Sequence, residues 1–485
     1  MIGLYSSQTE DNVKRLFYAA GTVAVAALIA VAAGSVTLAQ APAAVAGPST
    51  SLGASPTFHK DIEPILQKNC QSCHRPGQIA PMSLLSYTAA RPWARAIKTK
   101  VVAREMPPWF ADPHAGQQYT TDRSLQQPDI DLIAKWVDSG APEGDPKDAP
   151  PAVEWPKDGW VIQPDYVVRG PSFKVPGRPP SNVIEWTVII VPTGFTKDTW
   201  ITSVEIKPSD LQVTHHICIG FSLHHDNVQY YTPVWADKPR DEEGVEIRPE
   251  NGQSSGRARD FRGDPADEGG ETSGGCYLPG NQAFDYRPFN AGRLIPAGAN
   301  IVIAQHYTPS GKDAVDFPQI GFTIAKETPK YRWVSGSVGS GGRLAIPPNE
   351  PNYQAPHGVV EFATDARLVM MMPHMHVRGK SMSFMVETPD GRKQTALSVP
   401  RYDFNWQMQY VLSEPIALPK GTKLHVDASY NNSVSNKFNP NPNRWVYNGN
   451  MTWEEMMSPF YSVLVPVDVQ PRQVLKRGTG NSTVE

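Results

Sequence analysis

Four cysteines in 485 residues are too few for a scaffold built from disulfides, so Cys70, Cys73, Cys218 and Cys276 each need a specific role. An excess of one charge is also missing. The 45 Lys and Arg stand against 48 Asp and Glu, a net of −3, so no global field recruits nucleic acid. Charged residues make up only 19% of the chain, which argues against long solvent-exposed helices. After Ala33 no run is long and apolar enough to cross a bilayer as a helix. What the chain has in excess is proline, 47, and glycine, 38, the composition of many turns and short strands. Its length predicts about two to four domains.

Lys14 and Arg15, the apolar run from Leu16 to Ala33 and the small residues around Ala39 read as an export signal over 1–40. The run approaches spanning length, so an uncleaved N-terminal membrane anchor is the alternative. Either way the bulk of the chain is expected outside the cytoplasm, periplasmic or tethered on the outer side of the cytoplasmic membrane. Residues 41–56 read as a linker.

From 57 to 144 the pattern is helical. The clearest helix begins at Pro128, carries Asp129 and Asp131 in its first turn, sets Ile130, Ile133, Ala134 and Val137 on one face and stops at Gly140. Residues 145–182 read as a Pro-rich linker. From Val183 the period becomes two, in Ile184, Trp186, Val188 and Ile190, in Trp200, Val204 and Ile206, and in Ile301 and Ile303. The charged, Gly-rich stretch 236–275 reads as a mobile insertion. A second strand-rich block carries a hairpin turn at Thr388-Pro389-Asp390-Gly391 and an alternating Tyr402, Phe404, Trp406, Met408, Tyr410. The expected fold is multidomain: a small all-α domain at 57–144, all-β jelly-roll sandwiches at 183–330 and 331–475, and a tail at 476–485.

Cys70-Gln71-Ser72-Cys73-His74 is a C-x-x-C-H motif, in which two thiols can form thioethers to one haem while His74 ligates its iron. A redox dithiol or half of a zinc site are the other readings. Zinc needs a second ligand pair, which the spacing does not supply. For the sixth iron ligand Met82, Met106, His59 and His114 are available. Met106 is preferred because Pro107-Pro108-Trp109 stiffens the chain behind it, while Met82 suits core packing. The stretch Phe58–Pro146 resembles a bacterial cytochrome c module, which supports Met106 and implies one covalently attached c-type haem.

Five of the twelve histidines fall in strand patterns with metal-like spacing. His374 and His376, at i and i+2, project to one face of a strand. His215 and His216 point apart in a regular strand and can share an ion only at a bulge or strand end, completed by a third ligand such as His306. His224, His225, His357 and His425 read as structural or surface residues, and Asn431, Asn432 and Ser433 as turn chemistry. Cys218 and Cys276 can pair in an oxidising compartment, closing a loop of about 60 residues worth roughly 4 kcal/mol, or remain buried thiols.

In order along the chain, Thr214-His215-His216, Gln305-His306-Tyr307, Pro373-His374-Met375-His376 and Trp453-Glu454-Glu455-Met456 resemble the motifs of the copper type II ascorbate-dependent monooxygenases. That family includes peptidylglycine α-hydroxylating monooxygenase and dopamine β-monooxygenase, and the resemblance spans about 183–467. It implies two copper ions. His215, His216 and His306 would hold an electron-transfer copper, and the catalytic set His374, His376 and Met456 an oxygen-activating copper. Met457 is the neighbouring alternative, and Met370, Met371, Met372 and Met375 are read as strand packing. A soft thioether favours Cu(I), the state that meets O2.

The implied activity is hydroxylation of an aliphatic C–H bond, with electrons from ascorbate, a redox partner protein or the fused haem. Met372 stands where the peptide-amidating member has an arginine and Phe460 where it has a tyrosine, which implies a small apolar organic substrate. Gln305 also departs from the family pattern. The other readings are a non-catalytic haem/copper electron-transfer protein and a glycan- or protein-binding module.

Overall fold

A computed structural model describes residues 55–156, 158–178, 187–223, 230–232, 234–235, 273–280, 283–338, 344–449, 451–476 and 482–483. The expected signal, the linker up to Ala54 and nearly all of the expected insertion lie outside these residues. The stretch from Ser55 to the C-terminus clusters as one unit.

Its helices come first: Glu63–Asn69, Tyr87–Ala90, Ala94–Val102 and Gln127–Asp138 enclose a core that includes Phe58, Leu66, Ile97, Ile133 and Trp136. The Gln127–Asp138 helix has Pro128 and Asp129 in its first turn and ends before Gly140, whose φ of 92° only glycine adopts readily. Its buried face is Ile130, Ile133 and Trp136, with Ala134 and Val137 only half-buried. Trp136 displaces them because its large ring fills the core while its indole N–H donates to the Pro142 carbonyl at 3.0 Å.

Everything after this is mostly β. One ten-stranded sheet runs the length of both sandwiches, in the order 166–169, 319–324, 199–207, 291–295, 331–338, 460–466, 366–372, 410–418, with 283–285 beside 199–207 and 482–483 beside 331–338. Two five-stranded sheets cover its ends. The first is ordered 234–235, 187–192, 300–307, 214–222, 273–277; the second contains 353–354, 423–430, 379–387 and 393–399, with 358–361 beside 423–430. One core, with Ile201, Ile217, Ile303 and Phe322, lies under the first small sheet; another, with Leu368, Phe384, Val426 and Val463, lies under the second. The methionine run is strand packing, as expected: Met370 and Met372 face the first core, Met371 and Met375 the second.

Four expectations change. The supposed linker 145–182 contains strands Tyr166–Arg169 and Phe173–Val175, which pair with Gln319–Ile324 and Ala314–Asp316. Their β-branched and aromatic residues outweigh the flanking prolines at a sheet edge. The insertion ends earlier than 275, because Ser273–Tyr277 is a strand paired with Thr214–Ser222. At the C-terminal end of the chain, Ser482–Thr483 pairs with Ser337 and Val338 instead of trailing as a tail. Residues 401–409 are not a strand; regular pairing begins only at Tyr410. Asp403 accepts from the Asn405 N–H at 2.9 Å and turns the chain, and the consecutive Gln407, Met408 and Gln409 are all buried, so the alternation in sequence marks no strand there. The turn at 388–391 forms as read, with the Gly391 N–H on the Thr388 carbonyl at 2.8 Å. Residues Ile184 and Trp186 lie outside the described residues.

The stretch 109–123 leaves the helices and docks on the second sandwich. Tyr119 bridges Leu412, its hydroxyl donates to the Ala396 carbonyl at 2.8 Å, and the Thr120 N–H donates to Val411 at 2.8 Å.

Candidate metal centre

A bulge brings the adjacent histidines together. Between Thr214–Ser222 and Asn300–Tyr307, His306 lies opposite His216 and Tyr307 opposite Thr214, which leaves His215 as the extra residue. The ring centroids stand 5.0 Å apart for His215 and His216, 5.5 Å for His215 and His306, and 5.3 Å for His216 and His306. One ring nitrogen of each lies within 4.8 Å of the others. Three imidazoles so gathered are a donor set suited to a transition-metal ion. Burial, helped by the His374 charge, pushes His215 down to about 4, and burial holds His216 well below the usual histidine range. Both are therefore neutral near pH 7, the form that ligates.

His374 and His376 lie just past the end of the Ala366–Met372 strand rather than within it. Pro373 has no N–H for the ladder and stops the pairing. The alternation persists, however. Met375 enters the second core while the two imidazoles stand 5.3 Å apart at 85°. The His374 Nδ1 meets Gln407 Oε1 at 2.5 Å and the His376 Nδ1 meets the Glu454 carbonyl at 3.2 Å. These oxygens only accept, so each Nδ1 carries the proton and each Nε2 keeps its lone pair for a metal. Burial lowers both histidines.

Met456 is half-buried beside this pair, and Met457 is a core residue. The Glu455 carboxylate accepts from the backbone N–H of His376 at 2.9 Å, of Arg378 at 2.7 Å and of Met456 at 3.3 Å. The Ser458 N–H donates to the His374 carbonyl at 3.0 Å, so the two segments run side by side. Burial raises Glu455 to about 7 against the pull of those three N–H groups. Arg378, itself buried, donates to Asn432 Oδ1 at 2.9 Å and to the Trp453 carbonyl at 2.9 Å. Asn432 is thus a buried anchor as well as part of a turn.

The loop 401–409 joins the two histidine groups. Phe404 stacks on His215 at 5.4 Å and meets His376 edge-on at 6.1 Å, and the Tyr402 hydroxyl donates to the Met375 carbonyl at 2.7 Å. Phe460 lies 6.1 Å from His374. Sequence reasoning missed Phe404, Gln407 and Glu455 as site residues. Only Glu455 had a signal, its place in the Trp453–Met456 motif.

Cys70 and Cys73 are free thiols at the end of the Glu63–Asn69 helix, where the Cys73 and His74 N–H groups both return to the Cys70 carbonyl. Burial, with Cys73 adding to it, raises the Cys70 thiol to about 12. The His74 Nδ1 donates to the Met82 carbonyl at 3.3 Å, which leaves Nε2 as the ligating atom. Met82 packs on the helical core. Met106 is half-buried, its N–H on the Lys100 carbonyl. His59 pairs with Glu63 and Glu143, and His114 is exposed. A cavity of about 710 Å³ separates residues 75–83, directly after the C-x-x-C-H turn, from residues 211–215 ending at His215.

Cys218 and Cys276 are opposite one another in adjacent strands, with Cα atoms 4.0 Å apart, and form a disulfide. His224 and His225 lie outside the described residues. Among the described residues no helix is long and apolar enough to cross a membrane.

No family profile matches the chain, and no curated protein matches it. Among solved structures, the stem and receptor binding domain of the spike protein P1 from bacteriophage PM2 aligns with 63% of this chain and 98% of its own, at 11% identity and a TM-score of 0.13. A likeness that small says nothing about fold or function.

Proposed function

We propose that the chain is an exported copper-dependent monooxygenase of the type II ascorbate-dependent kind, built on two jelly-roll sandwiches with a cytochrome c-like region at 57–144. The observation that carries this reading is the three-imidazole cluster facing the His374/His376 pair across the single ring of Phe404. The conversion takes R–H, O2, two electrons and two protons to R–OH and water. Copper at the two histidine sites would supply one-electron storage and oxygen chemistry, and a c-type haem on Cys70 and Cys73 would supply an electron entry.

The chain's own residues divide that work. His215, His216 and His306 offer three ring nitrogens; His374 and His376 offer two Nε2 lone pairs fixed by Gln407 and Glu454, with the Met456 thioether as the soft third donor. Phe404 and Phe460 give the second pair an apolar wall. With Met372 buried in the first core and no cation in its place, a small apolar substrate fits better than a carboxylate-bearing peptide. The Met82 carbonyl orients His74, which would ligate the iron of a c-type haem, and Met106 would be its second protein ligand. Residues 75–83 and His215 line the same cavity, which would suit electrons passing from a haem at Cys70 and Cys73 to the first cluster. Ascorbate or a redox protein is the external donor.

The test is substrate-dependent oxygen uptake by the copper-loaded, reduced protein. Met456→His should retain copper and lose most of the uptake. If the wild type consumes no oxygen with any reductant, the sites serve electron transfer alone and the monooxygenase reading fails.

A further inference from the structure

A second pair of histidines, unused by the function above, sits on the outer face of the second five-stranded sheet. Along Lys423–Tyr430, Leu424, Val426 and Ala428 point into the core, so His425 and Asp427 point out. Gly358 pairs with Val426, which brings His357 level with Asp427. The His357 Nδ1 lies 2.7 Å from Asp427 Oδ1, and the His425 Nε2 lies 3.2 Å from Glu387 Oε2. Asp427 draws the His357 proton to Nδ1, whereas the His425 Nε2 beside Glu387 makes no hydrogen bond. The lone pair on His357 Nε2 then faces His425 Nδ1 at 2.9 Å.

Two imidazole nitrogens are held at that separation by a proton on His425 Nδ1 or by a metal ion that both ligate. Two nitrogens each about 2.0 Å from one ion and at a right angle are about 2.8 Å apart, close to what is found. The Asp427 carboxylate on the far nitrogen of His357 is the outer support typical of metal-bound histidine. We propose that His357 and His425 form a surface site for a divalent transition-metal cation, with Cu(II) the tightest. Imidazole donors exclude Ca²⁺ and Mg²⁺, and the divalent affinity order puts Cu(II) ahead of Zn(II). The His357 side chain is 46% exposed and that of Asp427 62%, leaving the remaining positions to water. Lys393, 3.1 Å from Glu387, offsets part of the acidic charge beside His425.

This site is independent of the interior clusters, and its test reads a difference. The full chain is titrated with Cu(II) alone by calorimetry and followed by electron paramagnetic resonance, in the wild type, His357→Gln, His425→Gln and Asp427→Asn. The first two variants should each bind one equivalent fewer and lose a signal with two imidazole nitrogens. Asp427→Asn, which keeps both imidazoles, should weaken that equivalent about tenfold or more. Equal stoichiometry and spectra in all four proteins would overturn the proposal and leave a proton between the rings. Because the interior histidines are the same in every protein, their failure to take copper would not erase the difference.

Discussion

Glu455 holds three backbone N–H groups, those of His376, Arg378 and Met456, with one buried carboxylate. Glu455→Gln keeps the shape but turns an amide N–H₂ toward a donor, at a cost of roughly 3 kcal/mol. Thermal unfolding should show that loss, with weaker copper binding at the His374/His376 pair; unchanged values on both counts would mean that the carboxylate is not what aligns the segments. Gln407→Leu removes the acceptor on the His374 Nδ1 and should cost about 10–100-fold in copper affinity at that pair, read by competition with a chelator. At the other end of the chain, the hydrogen bond that the His59 Nδ1–H donates to Glu63 raises His59 above its ordinary value. Because the folded-state value is the higher one, the protonated pair stabilises fully below about pH 6.5 and the contribution is lost as pH rises through the raised value. Stability of His59→Gln should fall short of wild type at pH 5.5 and match it at pH 9.

Among the elements, the Thr214–Ser222 strand would carry the most of the proposed function. Its bulge at His215 completes the three-histidine cluster, and two residues on, Cys218 ties it to the Ser273–Tyr277 strand. Replacing both cysteines with alanine should remove about 4 kcal/mol in the chain-entropy picture and lower the melting temperature, measured against the oxidised wild type. The requirement for a bulge was legible, since adjacent histidines cannot share an ion otherwise, and so were the C-x-x-C-H turn and the disulfide partners. All of these rest on short spacing or on the scarcity of cysteine. The loop 401–409 was not legible, because its aromatic alternation imitates a strand. Gln407 and Phe404 reach histidines far away in sequence, through packing that no local pattern encodes. The strands within 166–175 were hidden by their prolines for a similar reason: pairing at a sheet edge decided against local composition.

Across the whole molecule, one ten-stranded sheet carries both sandwiches, and the stretch 109–123 extends from the helices onto the second of them. The helices, the cavity beside residues 75–83, His215, Phe404 and the His374/His376 pair therefore follow one another within a single folded unit. That continuity is what an electron path from a haem at Cys70 and Cys73 to two copper sites requires. The most direct measurement is copper by elemental analysis and covalent haem by the pyridine haemochrome spectrum, on His357→Gln protein expressed with its own N-terminal segment so that surface copper is left out of the count. The account predicts two coppers and one haem per chain. One haem without copper, even after reconstitution, would contradict it.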